Sequence, residues 1–178
     1  MGIHFRFSTL VLVFLLLAAA FGKDDRAELS LKDLNGKRVR LSDYRKKIVV
    51  LNFWATWCGP CKEEMPRLVE AEKQYGDRGI VFVAASLDDK KGRDKILDFI
   101  RQHQISFPIW LGATVDDLKK LEMGEGLPAT AFVDEDGHIV ARVLGEIRSD
   151  EIKERLDWLT QGRSGGAPQA IVNHMGDK

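Results

Sequence analysis

The stretch Trp57-Cys58-Gly59-Pro60-Cys61 contains both cysteines of this 178-residue chain, separated by two residues. It directly follows the run Ile48-Val49-Val50-Leu51-Asn52-Phe53-Trp54, which is apolar at all positions but one. After it, apolar residues recur at helical spacing, at Met65, Leu68 and Val69. This order predicts a buried strand that turns directly into a helix, with Pro60 in the first turn, where its missing N–H costs nothing.

The predicted position of Cys58, at the N-terminus of this helix, favours redox chemistry. Unpaired N–H groups and the positive end of the helix dipole stabilise a thiolate, which is the attacking species in disulfide exchange. Cys61, one turn further on, can resolve the mixed disulfide. The alternative is a structural disulfide, but closing so short a loop stabilises by only roughly 2 kcal/mol, against about 3 for a fifteen-residue loop. A zinc site is disfavoured because no second cysteine pair is present.

The wider motif resembles a known family. Residues 53–62, FWATWCGPCK, resemble the active-site motif of the thioredoxin superfamily, and the continuation EEMP resembles its ResA/TlpA-like extracytoplasmic branch. The resemblance spans about residues 29–160. It implies an α/β thioredoxin fold, in which helices flank a central mixed β-sheet, with an N-terminal β-hairpin extension. It also implies an enzyme, a protein thiol-disulfide oxidoreductase with a redox-active Cys58–Cys61 disulfide.

Local patterns along the chain agree with an α/β architecture. Asn35-Gly36 between alternating apolar residues predicts the N-terminal hairpin. Period-2 or continuous apolar runs predict strands at residues 80–85, 107–111, 129–133 and 138–143. Three-four spacing predicts helices at residues 88–104, 115–121 and 149–160.

The two ends of the chain differ from this domain, which we place at residues 29–161. Residues 1–22 combine Arg6 with an apolar run and small residues at 18–20, which predicts a signal peptide or an N-terminal membrane anchor. Residues 23–28 are charged and are expected to form a linker. Residues 162–178 are rich in Gly, Pro and polar residues, so we expect a flexible tail. A signal peptide would place the domain in an oxidising, extracytoplasmic compartment such as the periplasm.

A proton acceptor for the second thiol is also suggested by the resemblance. Thioredoxin has a buried aspartate on the strand, six residues before the first cysteine, but here that position is Asn52. Glu64 lies three residues after Cys61, on the same helix face. ResA-like proteins resemble this chain in both respects. We therefore expect burial to raise the pKa of Glu64, which would then serve Cys61; the alternative is a solvated surface glutamate.

The predicted substrate-binding residues are Trp57, Leu127 and Pro128. The stretch Gly126-Leu127-Pro128-Ala129-Thr130 resembles the family's cis-proline motif, in which a backbone edge near the cysteines pairs with an extended substrate. A proline at the start of a strand is otherwise unusual. Trp57 resembles the family's exposed tryptophan, a flat apolar docking surface.

Composition narrows the partners. The 27 basic and 27 acidic residues balance, so nothing in the net charge favours nucleic acid as a partner.

Gly59-Pro60 resembles the dipeptide of the reducing members of the superfamily. This resemblance implies a reductant that a membrane thiol carrier recharges, with apocytochrome c as a family-typical client. We expect a monomer without cofactor or metal. Two alternatives stay open: a thiol peroxidase, because the early chain also resembles redoxins, and a non-catalytic client-binding module.

Overall fold

A computed structural model describes residues 25–89 and 92–176. The strands are β1 (Ser30–Asp33), β2 (Arg38–Arg40), β3 (Ile48–Trp54), β4 (Ile80–Ser86), β5 (Ile109–Leu111), β6 (Ala129–Val133), β7 (Ile139–Leu144) and β8 (Ile171–Asn173). The α-helices are α1 (Gly59–Tyr75), α2 (Arg93–His103), α3 (Val115–Lys120) and α4 (Ser149–Thr160). The predicted signal peptide or anchor, residues 1–22, lies outside the described residues. Within them, no helix is long and apolar enough to span a membrane.

One mixed sheet forms the centre of the described structure, in the strand order β2-β1-β5-β4-β3-β6-β7-β8. The central strand β3 runs parallel to β4 and antiparallel to β6. All seven residues of β3 are buried, as its apolar sequence predicts for a strand that is covered on both faces. Its bounds and those of β6 match the prediction.

Two cores lie on the two faces of this sheet. Because side chains alternate along a strand, Val50 and Trp54 of β3 face one core, whereas Leu51 and Phe53 face the other. Helices α1, α2 and α4 cover the first face, while α3 and the N-terminal segment cover the second. This arrangement confirms the predicted α/β class, in which helices flank a central mixed sheet.

The N-terminal hairpin is confirmed as well. Strands β1 and β2 pair antiparallel around Asn35-Gly36, where Gly36 adopts a φ of 80° that a residue with a side chain rarely takes. The Asp33 carboxylate closes the turn by accepting hydrogen bonds from the backbone N–H groups of Asn35 and Lys37, at 2.8 and 2.9 Å. Strand β1 also pairs with β5, which joins the hairpin to the main sheet.

Helix α2 begins later than the predicted residue 88. Asp88 is held in the loop after β4, because its carboxylate accepts hydrogen bonds from the Thr56 backbone N–H and the Ser86 hydroxyl, at 2.9 and 2.7 Å. The helix therefore starts only at Arg93.

The segment at residues 162–178, for which the sequence predicted a flexible tail, contains a strand that the sequence did not predict. Strand β8 pairs in parallel with β7, and Arg142 donates its backbone N–H to the carbonyl of Ala170 at 2.7 Å. The buried guanidinium of Arg155 donates to the carbonyl of Gln169 at 3.0 Å. The Gly- and Pro-rich composition concealed this strand, because it forms only against the open edge of β7.

Candidate active site

Cys58 lies where the sequence predicted it, at the N-terminus of α1. It is the N-cap residue, with extended backbone angles (φ −82°, ψ 113°), and Pro60 lies in the first turn. Its sulfur accepts a hydrogen bond from the backbone N–H of Cys61 at 3.2 Å. The two cysteines are joined in a disulfide, with their Cα atoms 5.3 Å apart. The sulfur of Cys58 therefore occupies the place where free N–H groups and the helix dipole stabilise a thiolate.

Access to the two sulfurs is unequal. Cys58 is 6% exposed and lines a cavity of about 660 Å³, whereas Cys61 has no exposed surface. Trp57 lines the same cavity and is 69% exposed, so a large apolar ring borders the reactive bond. A partner that approaches from solvent reaches Cys58 before Cys61.

The proline motif lies beside the disulfide. The Leu127–Pro128 peptide bond is cis, and Leu127 lines the same cavity as Cys58. The predicted cis geometry and the predicted proximity to Cys58 are thus confirmed. The binding of substrate by Leu127, Pro128 and Trp57 stays a prediction.

Glu64 is fully buried, which excludes the alternative of a solvated surface residue. One carboxylate oxygen, Oε1, accepts a hydrogen bond from Nδ2 of Asn52 at 2.6 Å. The other, Oε2, accepts one from the backbone N–H of Ile147 at 2.9 Å. Asn52 Nδ2 also donates to the Thr130 hydroxyl oxygen at 3.0 Å. Asn52, which stands at the position of the thioredoxin aspartate, is therefore a direct hydrogen-bond partner of the buried Glu64.

Burial raises the pKa of Glu64 from 4.5 to about 8, because the ionised form loses its hydration. The hydrogen bonds from Ile147 and Asn52 stabilise the ionised form and lower the pKa, but they offset only part of this effect. Near neutral pH the carboxyl group is mostly protonated, and it can release or accept a proton at little cost.

The Asn52 carboxamide suits both protonation states of its partner. Its Oδ1 atom is buried without a hydrogen-bond partner, whereas Nδ2 faces both Glu64 and Thr130. Rotation of the amide by half a turn would present Oδ1 as an acceptor for a protonated Glu64. The Thr130 hydroxyl can pair with either end of the amide, since it both donates and accepts.

A further cluster, which the sequence analysis missed, holds the chain just before Cys58. The buried Asp88 carboxylate accepts from both the backbone N–H and the hydroxyl of Thr56, and also from Ser86. Thr56 follows β3, and Ser86 ends the parallel neighbour β4. Polar residues at the carboxyl ends of two adjacent parallel strands were the signal that could have revealed this cluster.

No metal site is evident within residues 25–89 and 92–176, where no group of three or more His, Cys, Asp or Glu residues could hold an ion. The site instead combines a Cys-x-x-Cys disulfide at a helix N-terminus, a neighbouring cis-proline and a buried carboxyl group. On this sheet and helix arrangement, these features define a thioredoxin-fold thiol-disulfide oxidoreductase.

Comparison with known proteins agrees with this class. The AhpC/TSA family profile matches residues 23–142. The chain is 30% identical over 154 residues to the thiol-disulfide oxidoreductase ResA of Bacillus cereus, covering 83% of this chain and 87% of that protein. It is 31% identical over 142 residues to ResA of Bacillus subtilis, covering 80% and 78%. The chain therefore belongs to the AhpC/TSA family and to its ResA-like thiol-disulfide oxidoreductases.

A solved structure supports the same fold. A protein of Chlorobium tepidum assigned as the thiol:disulfide interchange protein DsbE superimposes with a TM-score of 0.65 at 29% sequence identity. The match covers 79% of this chain and 96% of that one.

Proposed function

We propose that this thiol-disulfide oxidoreductase works outside the cytoplasm as a reductant of disulfides in client proteins, with Cys58 as nucleophile, Cys61 as resolving thiol and Glu64 as proton acceptor. The observation that carries the proposal is the arrangement of the two sulfurs. Cys58 borders an open cavity at the start of α1, and Cys61 lies behind it with no exposed surface.

The reaction transfers two electrons from the enzyme to the client. The Cys58 thiolate attacks one sulfur of the client disulfide, which forms a mixed disulfide and releases the other client sulfur as a thiolate. The Cys61 thiol then loses its proton and attacks the sulfur of Cys58. This second exchange releases the reduced client and leaves the Cys58–Cys61 disulfide.

Glu64 is suited to the second exchange. It lies one helical turn beyond Cys61, and its pKa of about 8 is close to the ~8.5 of an ordinary thiol. Because its pKa is raised, the ionised carboxylate is a stronger base than an ordinary glutamate, so it can take the Cys61 proton and return it later. Trp57, Leu127 and Pro128 would hold the client, with its backbone paired along the edge at Leu127.

The compartment and the partners follow from the same proposal. The apolar segment near the N-terminus supports an extracytoplasmic location, either anchored to the membrane or released by cleavage. A reductant there must be recharged, and a membrane thiol carrier is the donor we propose. Apocytochrome c, whose haem-attachment cysteines must be reduced, is the client that the ResA-like resemblance suggests.

The reduction potential of the Cys58–Cys61 couple tests the direction of transfer. Equilibration with thiol buffers, followed by alkylation and mass analysis, should give a value near the ~−270 mV of thioredoxin, whereas a value near −120 mV would contradict a reducing role. Turnover in an insulin-reduction assay should require both cysteines. Rapid peroxide consumption without insulin turnover would favour the thiol peroxidase alternative instead.

A further inference from the structure

The C-terminal segment after β8, residues 174–176, lies against the active-site loops. His174 donates its backbone N–H to the carbonyl of Leu144 at 2.7 Å, which continues the β7–β8 pairing. A Cβ atom added to Gly145 would lie 3.0 Å from the backbone of His174, and one added to Gly126 would lie 2.6 Å from Cε of Met175. Gly126 directly precedes the cis Leu127–Pro128 bond, so the end of the Met175 side chain lies against the proline loop. The absence of a side chain at Gly145 leaves room for the backbone of His174.

This segment is held in place by polar contacts. The His174 ring nitrogen Nε2 lies 2.8 Å from Oε1 of Glu151 in the first turn of α4, and both side chains are largely buried. The Met175 backbone N–H donates to the Asn173 side chain at 2.9 Å. The position of the C-terminal segment relative to α4 and β7 is therefore fixed by side-chain as well as by backbone hydrogen bonds.

Met175 and Gly176 form one wall of a second cavity, of about 670 Å³. Pro60 and Leu127 line both this cavity and the one that contains Cys58. The two cavities therefore adjoin at these residues, and we refer to them together as the groove. Without the C-terminal segment, the far half of the groove would lack this wall.

Large exposed apolar side chains are concentrated along this groove. Among the described residues, the large hydrophobic side chains that are exposed are Trp57, Val115, Ile171 and Met175. Trp57 and Val115 line the cavity with Cys58, and Met175 lines the second cavity, whereas Ile171 lines neither. Clustered apolar exposure of this kind marks an interaction surface. Methionine, which is unbranched and flexible, suits a surface that accepts varied side chains.

We propose that residues 174–176 complete the client-binding groove, and that the groove takes an extended client segment with large apolar side chains on both sides of its reactive cysteine. One of these side chains packs against Trp57 and Val115, and the other against Met175. The occupant is a protein segment because it must carry a sulfur to Cys58 and a backbone to the edge at Leu127. The proposal rests on the exchange activity and on the proposed client role of the proline loop, but not on the direction of electron transfer.

Two peptide disulfides test this inference. In the leucine peptide, leucine flanks each reactive cysteine, and in the serine peptide, serine does. The two peptides are otherwise identical. Reduced protein, freed from its reductant, is mixed with excess peptide in single turnovers, in which the enzyme dithiol becomes a disulfide and the peptide disulfide becomes two thiols. Unmodified protein should reach half-saturation at a lower concentration of the leucine peptide.

Met175→Ala should raise the half-saturating concentration of the leucine peptide about fivefold, since it removes part of the burial free energy of one apolar contact. It should raise that of the serine peptide less. Met175→Leu should restore the preference for the leucine peptide over the serine peptide. Ile171→Ala is the matched control, because Ile171 is 52% exposed against 42% for Met175 but lies outside the groove.

An unchanged preference in Met175→Ala, or an equal effect of Ile171→Ala, overturns the proposal. Thermal unfolding of each variant verifies that the fold is retained. The same comparison with oxidised enzyme and reduced peptides separates this proposal from the reducing role. A protein that only oxidises peptides would contradict a reductant, yet it should still show the preference that depends on Met175.

Discussion

Replacement of Glu64 by glutamine should change how the stability of the oxidised protein depends on pH. Glu64 is fully buried and accepts hydrogen bonds from Asn52 and from the backbone N–H of Ile147. Glutamine has nearly the same shape but does not ionise. If its carbonyl oxygen keeps the bond from Ile147, its NH₂ group faces Asn52, whose amide can rotate to accept it. The variant therefore removes one titration with little change in packing.

The magnitude follows from the pKa of Glu64, which burial raises from its ordinary value of 4.5 to about 8. Between these two values the folded protein holds one proton more than the unfolded chain, so stability falls as pH rises. The slope is about 1.4 kcal/mol per pH unit, and the whole contribution is roughly 5 kcal/mol. This contribution is fully present below pH 4.5 and is lost once the pH passes 8.

Urea unfolding of the oxidised unmodified protein and of Glu64→Gln, from pH 5 to 8.5, measures this effect. The stability of the variant relative to the unmodified protein should rise by about 1.4 kcal/mol per pH unit and level off above pH 8. The neighbouring Glu63 is exposed, so Glu63→Gln is the matched control and should show no such slope. A stability difference between Glu64→Gln and the unmodified protein that stays constant from pH 5 to 8 would refute the buried, protonated carboxyl group.

Four further predictions concern the reactive loop and the residues around it. Alkylation of the reduced protein near neutral pH should label Cys58 before Cys61, because the helix N-terminus favours its thiolate; mass analysis that finds Cys61 labelled first would reverse the roles. Cys61→Ser should trap mixed disulfides with clients, whereas Cys58→Ser should not. Pro128→Ala should raise the KM for insulin several-fold, and an unchanged KM would argue against client binding at the proline. Asp88→Ala should cost about 1–3 kcal/mol in urea unfolding, because it leaves the Thr56 N–H without its acceptor; a loss within experimental error would show that water replaces the carboxylate.

Much of the site could be predicted because its chemistry is local in sequence. The apolar run of β3, Pro60 in the first turn and the helical spacing after Cys61 together place Cys58 at a helix N-terminus without any long-range information. The hairpin at Asn35-Gly36 is equally local, since its turn type requires the backbone freedom of glycine. The family resemblance added the cis bond at Leu127–Pro128, which the structure contains.

What only the tertiary structure decided depends on groups that are far apart in the chain. Glu64 is three residues from Cys61, but its raised pKa comes from burial, and its hydrogen bonds come from Asn52, 12 residues away, and from Ile147, 83 residues away. A pKa is set by the surroundings of a group and not by its neighbours in sequence.

The same reason explains the C-terminal segment. Its composition is that of a tail, and sequence alone predicted one. It contains a strand because β7 had an open edge of unpaired backbone groups beside it, and Gly145 left space for the backbone of His174, which follows that strand. Backbone pairing and close packing depend on which surfaces meet after folding, so the sequence determined the reactive disulfide, whereas the tertiary structure determined the walls that surround it.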